Sequence, residues 1–267
     1  MSAVCDLFFE LSHENRMKIL MLLKNLGEEN LTKISKEMEV STQEVYRHIS
    51  RLVESRLLIK TLAGNYELSF YGKLVLEMVP GYKFLAEHSD YFQNHDTTML
   101  PQDFILSLSK LNDSIYFEHV LLTLNKINSV IENADEYLWA ITDRLSMNQV
   151  DIIVKSLKKD VTHKIIEPVN WEPSPDLDNY YTEGVIQQLR SSEINGKLQI
   201  RKIPKIPIFL FLNNKCETVF GFPGEHGKID FIGFYSENRK ASEWIKDLFI
   251  HFFDLSEPAD AYIPEPG

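Results

Sequence analysis

Leu7, Leu11, Ile19, Leu22, Leu23 and Leu26 recur at helical spacing before Gly27, which predicts one helix over Asp6–Leu26. A short amphipathic helix follows, with Thr32 placed to cap it and Ile34 and Met38 turned inward. Val40 leads to Ser41-Thr42-Gln43-Glu44, the pattern of a capping box. In it the Ser41 hydroxyl accepts from the Glu44 amide and Glu44 reaches back to the Ser41 amide. Val45, Ile49, Leu52 and Val53 then fall at i, i+4, i+7 and i+8 and predict the buried face of a third helix. At about 100° per residue, the opposite face carries Gln43, Arg47 and Ser50, flanked by Tyr46. The period next changes to two. Leu57–Leu62 and Tyr66–Phe70 read as strands around Ala63-Gly64-Asn65, whose Gly and Asn tolerate a left-handed backbone. Leu31–Phe70 therefore predicts a helix-turn-helix with a two-stranded wing. A fourth helix is expected from Tyr71 to about Phe92, with Leu74, Val75, Met78, Tyr82, Leu85 and Phe92 on it and a break or kink at Pro80-Gly81.

Beyond a polar stretch at Gln93–Thr98 the pattern alternates between the two periods. A helix is expected over Tyr116–Asn133. Strands are expected at Glu136–Thr142, His163–Val169, Leu198–Ile203, Ile206–Leu212, Thr218–Phe222 and Ile229–Tyr235. Helices are expected at Met147–Lys159, Tyr180–Ser192 and Ser236–Phe253. That order predicts an α/β sheet with a partly antiparallel end. Asn170–Asn179, with Pro173 and Pro175, is a long loop after a strand, a place where ligands gather in open α/β sheets. Three parts follow: residues 1–95, a winged helix-turn-helix with a dimerisation helix; residues 96–255, an α/β sensor; and residues 256–267, a Pro-containing flexible tail. The fold class is α+β.

Charge changes this picture in one respect. The net charge of −11 opposes nucleic-acid binding, yet it is unevenly spread. Residues 1–95 hold 11 Lys/Arg and 13 Asp/Glu, hence −2, and the rest is −9. Lys33–Lys60 holds six bases and four acids, hence +2. A local basic surface neutralises phosphate, whatever the total. With 44% apolar and 25% charged residues the chain is ordinary globular material. No apolar run nears the ~18 residues of a membrane span, and Met-Ser-Ala-Val-Cys-Asp is not a secretory start. Cys5 and Cys216 form no CxxC, so a cytoplasmic protein with reduced thiols is expected.

Two strings carry resemblances. Leu11–Leu23, with Ser12, Arg16, Ile19 and Leu20 at the Ser-x-x-x-Arg-x-x-Ile-Leu spacing, resembles the first helix of ArsR-like winged-helix regulators. Leu100-Pro101-x-Asp103-Phe104 and the later runs Ile206–Leu212, Thr218–Pro223, Gly227–Asp230, Gly233–Tyr235 and Trp244–Phe249 are similar to the sensor domain of archaeal winged-helix regulators, the group with a methanogenesis regulatory protein. That domain resembles the phospholipase-D-like α/β fold. The enzyme fold requires His-x-Lys-x-x-x-x-Asp, which is absent here, so the resemblance implies a binding domain and not a phosphodiesterase.

The expected partner is double-stranded DNA. Gln can bridge adenine, Arg can bridge guanine, and Ser or Tyr can reach phosphates or base edges. The residues expected at DNA are Lys33, Ser41, Thr42, Gln43, Tyr46, Arg47, Ser50, Arg51, Lys60 and Asn65, with Arg51 and Lys60 on phosphate. His48 flanks the buried face and reads as a packing or phosphate-contacting residue. A homodimer is expected, because paired half-sites give the motif its specificity. A small-molecule effector is expected on the second domain, with Trp139, Asp143, Arg144, Glu167 and Arg201 as its residues and Trp171 as a further pocket-lining aromatic. For each an ordinary core or strand-end role competes. No Walker, GxGxxG or GxSxG motif occurs. His88 and His95 lack ligands at metal spacing, and the CxC of ArsR-like metal sensors is missing, so neither cofactor nor metal is expected. Two other readings stay open: a winged helix used for protein contacts within the transcription machinery, and an enzyme.

Overall fold

The computed structural model describes residues 2–170 and 181–261. The chain divides into two compact units, Met1–Tyr82 and Lys83–Gly267. Most of the loop expected at 170–179, Trp171, and the tail beyond residue 261 lie outside the described residues.

The first unit holds α1 (Ser2–Leu11), α2 (Glu14–Leu26), α3 (Leu31–Met38), α4 (Thr42–Glu54), β1 (Leu58–Lys60), β2 (Tyr66–Leu68) and the first part of α5 (Phe70–Glu87). The single helix expected over Asp6–Leu26 is two. His13 is extended at φ −86°, ψ 120°, and its ring accepts from the Asn15 amide to start α2. The apolar spacing runs through this break, which hides it from periodicity. The cap of α3 is Asn30, whose Oδ1 accepts from the Lys33 amide at 2.9 Å, and not Thr32. Glu39 turns the chain between α3 and α4 in the left-handed region, at φ 56°. Ile19, Leu20, Leu23, Ile34, Val45, Ile49 and Leu52 are buried in one cluster with the strand residues Leu58, Tyr66 and Leu68. Three helices expected from a 3.6 period and two strands from a period of two thus share one core.

The wing is shorter than expected: Leu58, Ile59 and Lys60 pair antiparallel with Leu68, Glu67 and Tyr66. Its return is fastened to the end of α4. Ser69 donates its hydroxyl to Arg56 O at 2.6 Å and accepts from the Gly72 amide at 2.8 Å, while its own amide donates to Leu57 O. This close approach requires glycine at 72, since a Cβ there would stand 2.1 Å from Leu57 O. Pro80 does not end α5, which continues to Glu87. Apolar residues on either side of it, Leu76 and Phe84, are buried, and their burial outweighs the one lost backbone bond. The helix stops at His88, and α6 (Ser89–Asn94) follows.

In the second unit, α7 (Gln102–Leu106) and a short 3-10 turn precede β3 (Ile115–Phe117), α8 (Val120–Glu132), β4 (Tyr137–Ile141), α9 (Met147–Leu157) and β5 (Thr162–Pro168). Next come α10 (Glu183–Ile194), β6 (Leu198–Ile203), β7 (Phe209–Asn213), β8 (Thr218–Gly221), β9 (Gly233–Ser236), α11 (Arg239–Leu255) and β10 (Glu257–Ala259). Among the described residues one eight-stranded sheet forms in the order β10-β6-β5-β4-β7-β8-β9-β3. The strands β4, β5 and β6 are parallel, and every other pairing is antiparallel. The partly antiparallel end is therefore as expected.

Three expectations are corrected. The helix expected from Tyr116 starts at Val120, because Ile115–Phe117 pair with Tyr235–Gly233 at the sheet edge. The tail is not wholly loose: Glu257–Ala259 add an edge strand beside Lys202–Ile200, and Ser256 O accepts from Arg201 at 3.0 and 2.6 Å. Pro258 fits there because an edge strand can spare its amide. The boundary at 95/96 moves to 82/83. Residues 84–95 belong with the second unit because Phe84 and Tyr91 are buried in its core. Tyr91 Oη accepts from the Phe222 amide at 2.7 Å and donates to Ile232 O at 3.3 Å, strapping α6 to the ends of β8 and β9.

Gly72→Ala is expected to destabilise the first unit by about 2–3 kcal/mol, the cost of forcing a methyl against backbone. Urea denaturation followed by circular dichroism checks it; a variant as stable as the parent would contradict the close packing of α5 on Leu57.

Candidate nucleic-acid interface

Burial of Val45, His48, Ile49 and Leu52 orients α4. Its outer face then presents Gln43, Tyr46 and Arg47, all exposed, with half-buried Ser50 beside them. Tyr46 is 55% exposed, unusual for a large aromatic. These four residues and Ser41, Arg51, Glu44 and Glu54 line one shallow surface depression. Ser41 caps the helix, its hydroxyl accepting from the Glu44 amide at 3.3 Å. The reciprocal half of the capping box is absent, since the Glu44 carboxylate instead accepts from Asn15 Nδ2 at 3.2 Å. The result is still a helix N-terminus fixed in place, with unpaired amides and positive dipole facing outward.

The remaining expected DNA residues differ in freedom. Arg47 makes no ion pair among the described residues. Thr42 is exposed, with its hydroxyl 3.3 Å from Ser35 Oγ. Lys33 is exposed and pairs with Glu29 at 2.5 Å. Lys60 lies 5.8 Å from the Tyr66 ring centroid. Asn65 is half-buried and donates to Glu28 Oε1 at 3.0 Å, which also accepts from Thr61 Oγ1 at 2.7 Å. Lys33, Lys60 and Asn65 do not line the α4 depression. Arg51 is held by Glu10 through two contacts, Nε at 3.2 Å from Oε2 and Nη2 against Oε1. His48 is buried, its ring 4.4 Å from that of His13. Burial first, then the neighbouring His13 and Arg47 charges, hold its pKa below the ordinary value. It packs the helix and is too enclosed to meet phosphate.

The five residues expected at an effector do not converge. Side chains of a strand alternate between faces, and contacts sort these accordingly. Trp139 stacks on Phe249 of α11 at 4.9 Å, and Arg201 lies over Phe253 of the same helix. Glu167 points to the opposite face, among Val150 and Ile153 of α9, Leu189 of α10, and Ile165 and Leu198. Asp143 and Arg144 follow β4 and pair with each other at 2.9 Å, and Arg144 also reaches Ile229 O at 3.3 Å. Of the five, only Asp143 lines a cleft of about 1040 Å³ in this unit. That cleft sits beyond the carboxyl ends of the parallel strands, where Asp143, Pro168 and Pro204 follow β4, β5 and β6. Its other walls are His95 and Asp96 and the 223–229 loop. His95 is fixed there, its ring nitrogens 2.7 Å from Tyr91 O and 3.1 Å from Asp230 Oδ2, with its ring stacked on Tyr91 at 3.7 Å. Sequence reasoning missed this strap, because its partners stand over a hundred residues apart.

Residues 13–60 match the family model described as bacterial regulatory protein, arsR family. The first unit thus carries an arsR-family helix-turn-helix. The matched segment runs from the His13 cap of α2 to Lys60 at the end of β1, so it contains the whole α4 face. No curated protein matches the chain. Among solved structures the chain is similar to TrmBL2, an archaeal chromatin protein, at 12% identity over 92% of this chain and 94% of that one, with a TM-score of 0.43. It is also similar to Nuc, a phospholipase D family member from Salmonella typhimurium, at 11% identity over 51% and 89%, with a TM-score of 0.34. Neither likeness is close enough to decide the architecture. Among the described residues no helix is long and apolar enough to cross a membrane.

Glu167 is only 5% exposed, and burial raises its pKa from an ordinary 4.5 to about 7. The folded state keeps a proton that the unfolded chain has lost, so stability falls as pH rises from about 4.5 to about 7. Glu167→Gln is expected to exceed the parent by about 3 kcal/mol at pH 8 and to match it at pH 4. Denaturation at both pH values measures the difference; an equal effect at both would contradict a proton held by burial.

Proposed function

We propose that the protein is a sequence-specific, DNA-binding transcriptional regulator that reads the major groove with α4. The observation that carries this is the α4 face itself. Gln43, Tyr46, Arg47 and Ser50 are turned outward at the capped start of a helix whose opposite side is buried, within an arsR-family helix-turn-helix. Arg47 can donate to both O6 and N7 of guanine, and Gln43 can donate to N7 and accept from N6 of adenine. Ser41, Thr42 and the amides of the first turn suit a phosphate at a helix N-terminus, and Lys33 and Lys60 are the outlying phosphate contacts. Asn65 serves the wing turn through Glu28 before it serves DNA.

The protein acts as a homodimer in this reading. The ten residues of α1 include none that is buried, although Val4, Phe8 and Phe9 are among them. Phe8 meets exposed Tyr82 of α5 edge to face at 5.5 Å, and Leu74 and Met78 of α5 are exposed as well. Two helices that leave so much apolar surface uncovered support a second copy as the cover. The second unit is the sensor, of the kind its sequence strings resemble in archaeal methanogenesis regulators. The cleft beyond β4–β6 is the effector site we favour over the dispersed set that includes Trp139, Glu167 and Arg201. Its volume suits a small molecule, and its position follows the rule for open α/β sheets.

Arg47→Ala is expected to weaken binding to a selected operator about 10- to 100-fold, and binding to unrelated duplex by far less, since a bidentate base contact contributes about 1–3 kcal/mol of discrimination. Fluorescence anisotropy with both duplexes measures this. Equal losses on the two would make Arg47 a phosphate contact only.

A further inference from the structure

The charge on the recognition face is smaller than its sequence displays. Arg47 and Arg51 stand one helical turn apart on α4 and line the same depression. Arg47 is free of ion pairs among the described residues, whereas Arg51 is engaged by Glu10 from the end of α1. The Glu10 carboxylate is itself anchored, its side chain only 12% exposed. Buried Arg16 of α2 places Nε 3.1 Å from Glu10 Oε2, and the same guanidinium donates to the backbone carbonyls of Glu10 at 2.7 Å and Phe9 at 2.5 Å. Both guanidiniums lie over the Phe9 ring, at 5.6 Å for Arg16 and 5.3 Å for Arg51.

We propose that Glu10 restrains Arg51 from the DNA backbone and so lowers the sequence-independent, salt-dependent part of DNA affinity. The proposal rests on the DNA-reading role of α4. Arg16 fixes the carboxylate, so Glu10 cannot travel with Arg51 toward a phosphate. To reach one, Arg51 must give up two charge-assisted hydrogen bonds and gain at most an equivalent pair. It would also leave Glu10 unpaired beside the phosphate, a like-charge juxtaposition. Held on Glu10, Arg51 neutralises no phosphate and displaces no condensed counterion, so it adds nothing to the salt-dependent term that dominates non-specific binding. Operator and unrelated duplex both go without this phosphate contact, so non-specific binding is weaker and less salt-dependent than the two arginines of the face would make it.

The test compares the full-length wild type, Glu10→Gln, Arg51→Gln and the double variant on a selected operator and on a random-sequence duplex, as a function of salt. Glu10→Gln keeps an acceptor oxygen for Arg16 but loses the charge that holds Arg51. It is expected to steepen the slope of log K against log[salt] by about 0.9 per protomer. Random duplex and operator both bind more tightly as a result, by a similar factor. Arg51→Gln alone does not flatten the wild-type slope, and in the double variant the steepening is abolished. A flattening by about 0.9 per protomer in Arg51→Gln, with Glu10→Gln unchanged, would show Arg51 already on phosphate and overturn the proposal. Thermal melting controls for folding; if Glu10→Gln does not fold, the Arg51→Gln slope decides alone. Absence of any selected operator for the wild type would overturn the DNA-reading role as well, which separates the two failures.

Discussion

Burial of Val45, Ile49 and Leu52 against Ile19, Leu20, Leu23 and Ile34 is the constraint on which the functional reading depends. A helix with one apolar side has a single favourable orientation on a core, so the opposite side is determined without contributing to the packing. Gln43, Arg47 and Ser50 owe their exposure to residues two or three positions away. The Ser41 cap sets where the helix starts, and with it which side chains occupy the first exposed turn. Ser69 and Gly72 bring α5 against the end of α4, so the wing and the apolar α5 surface are tied to the same frame.

The second unit uses the same physics for another end. Three parallel strands leave their carboxyl ends on one side of the sheet, and a cleft lies there, lined by Asp143 after β4, Pro168 at the end of β5 and Pro204 after β6. One of its walls is the segment that directly follows α5 and α6 in the chain. Tyr91 and His95 hold that segment by bonds to Phe222, Ile232 and Asp230. A ligand contacting this wall would press on the part of the second unit closest in sequence to the DNA-reading unit.

Local pattern made most of the fold legible. The helix that carries Gln43 and Arg47, the wing, six of the eight strands of the sheet and its antiparallel end follow from changes of period, because each period reports one repeating burial geometry. The failures have their own causes. The edge strands β3 and β10 depend on hydrogen bonds supplied by residues far away in sequence, and the break at His13 is a local cap through which the apolar spacing runs unbroken. The candidate site divides the same way. The α4 face is a property of one helix and was readable. The restraint of Arg51 by Glu10, the anchoring of Asn65 by Glu28, and the scatter of Trp139, Glu167 and Arg201 over two faces of a sheet are pairings in space, which spacing along the chain does not encode.

The central claim is that the first unit reads base sequence as a paired module. In vitro selection of random duplexes with the purified full-length protein tests it most directly. The account predicts enrichment of a palindromic motif with half-sites about one helical turn, 10–10.5 base pairs, or a multiple of it apart. Recovery of duplexes with no common sequence, at a Kd no tighter than that for unselected DNA, would contradict it.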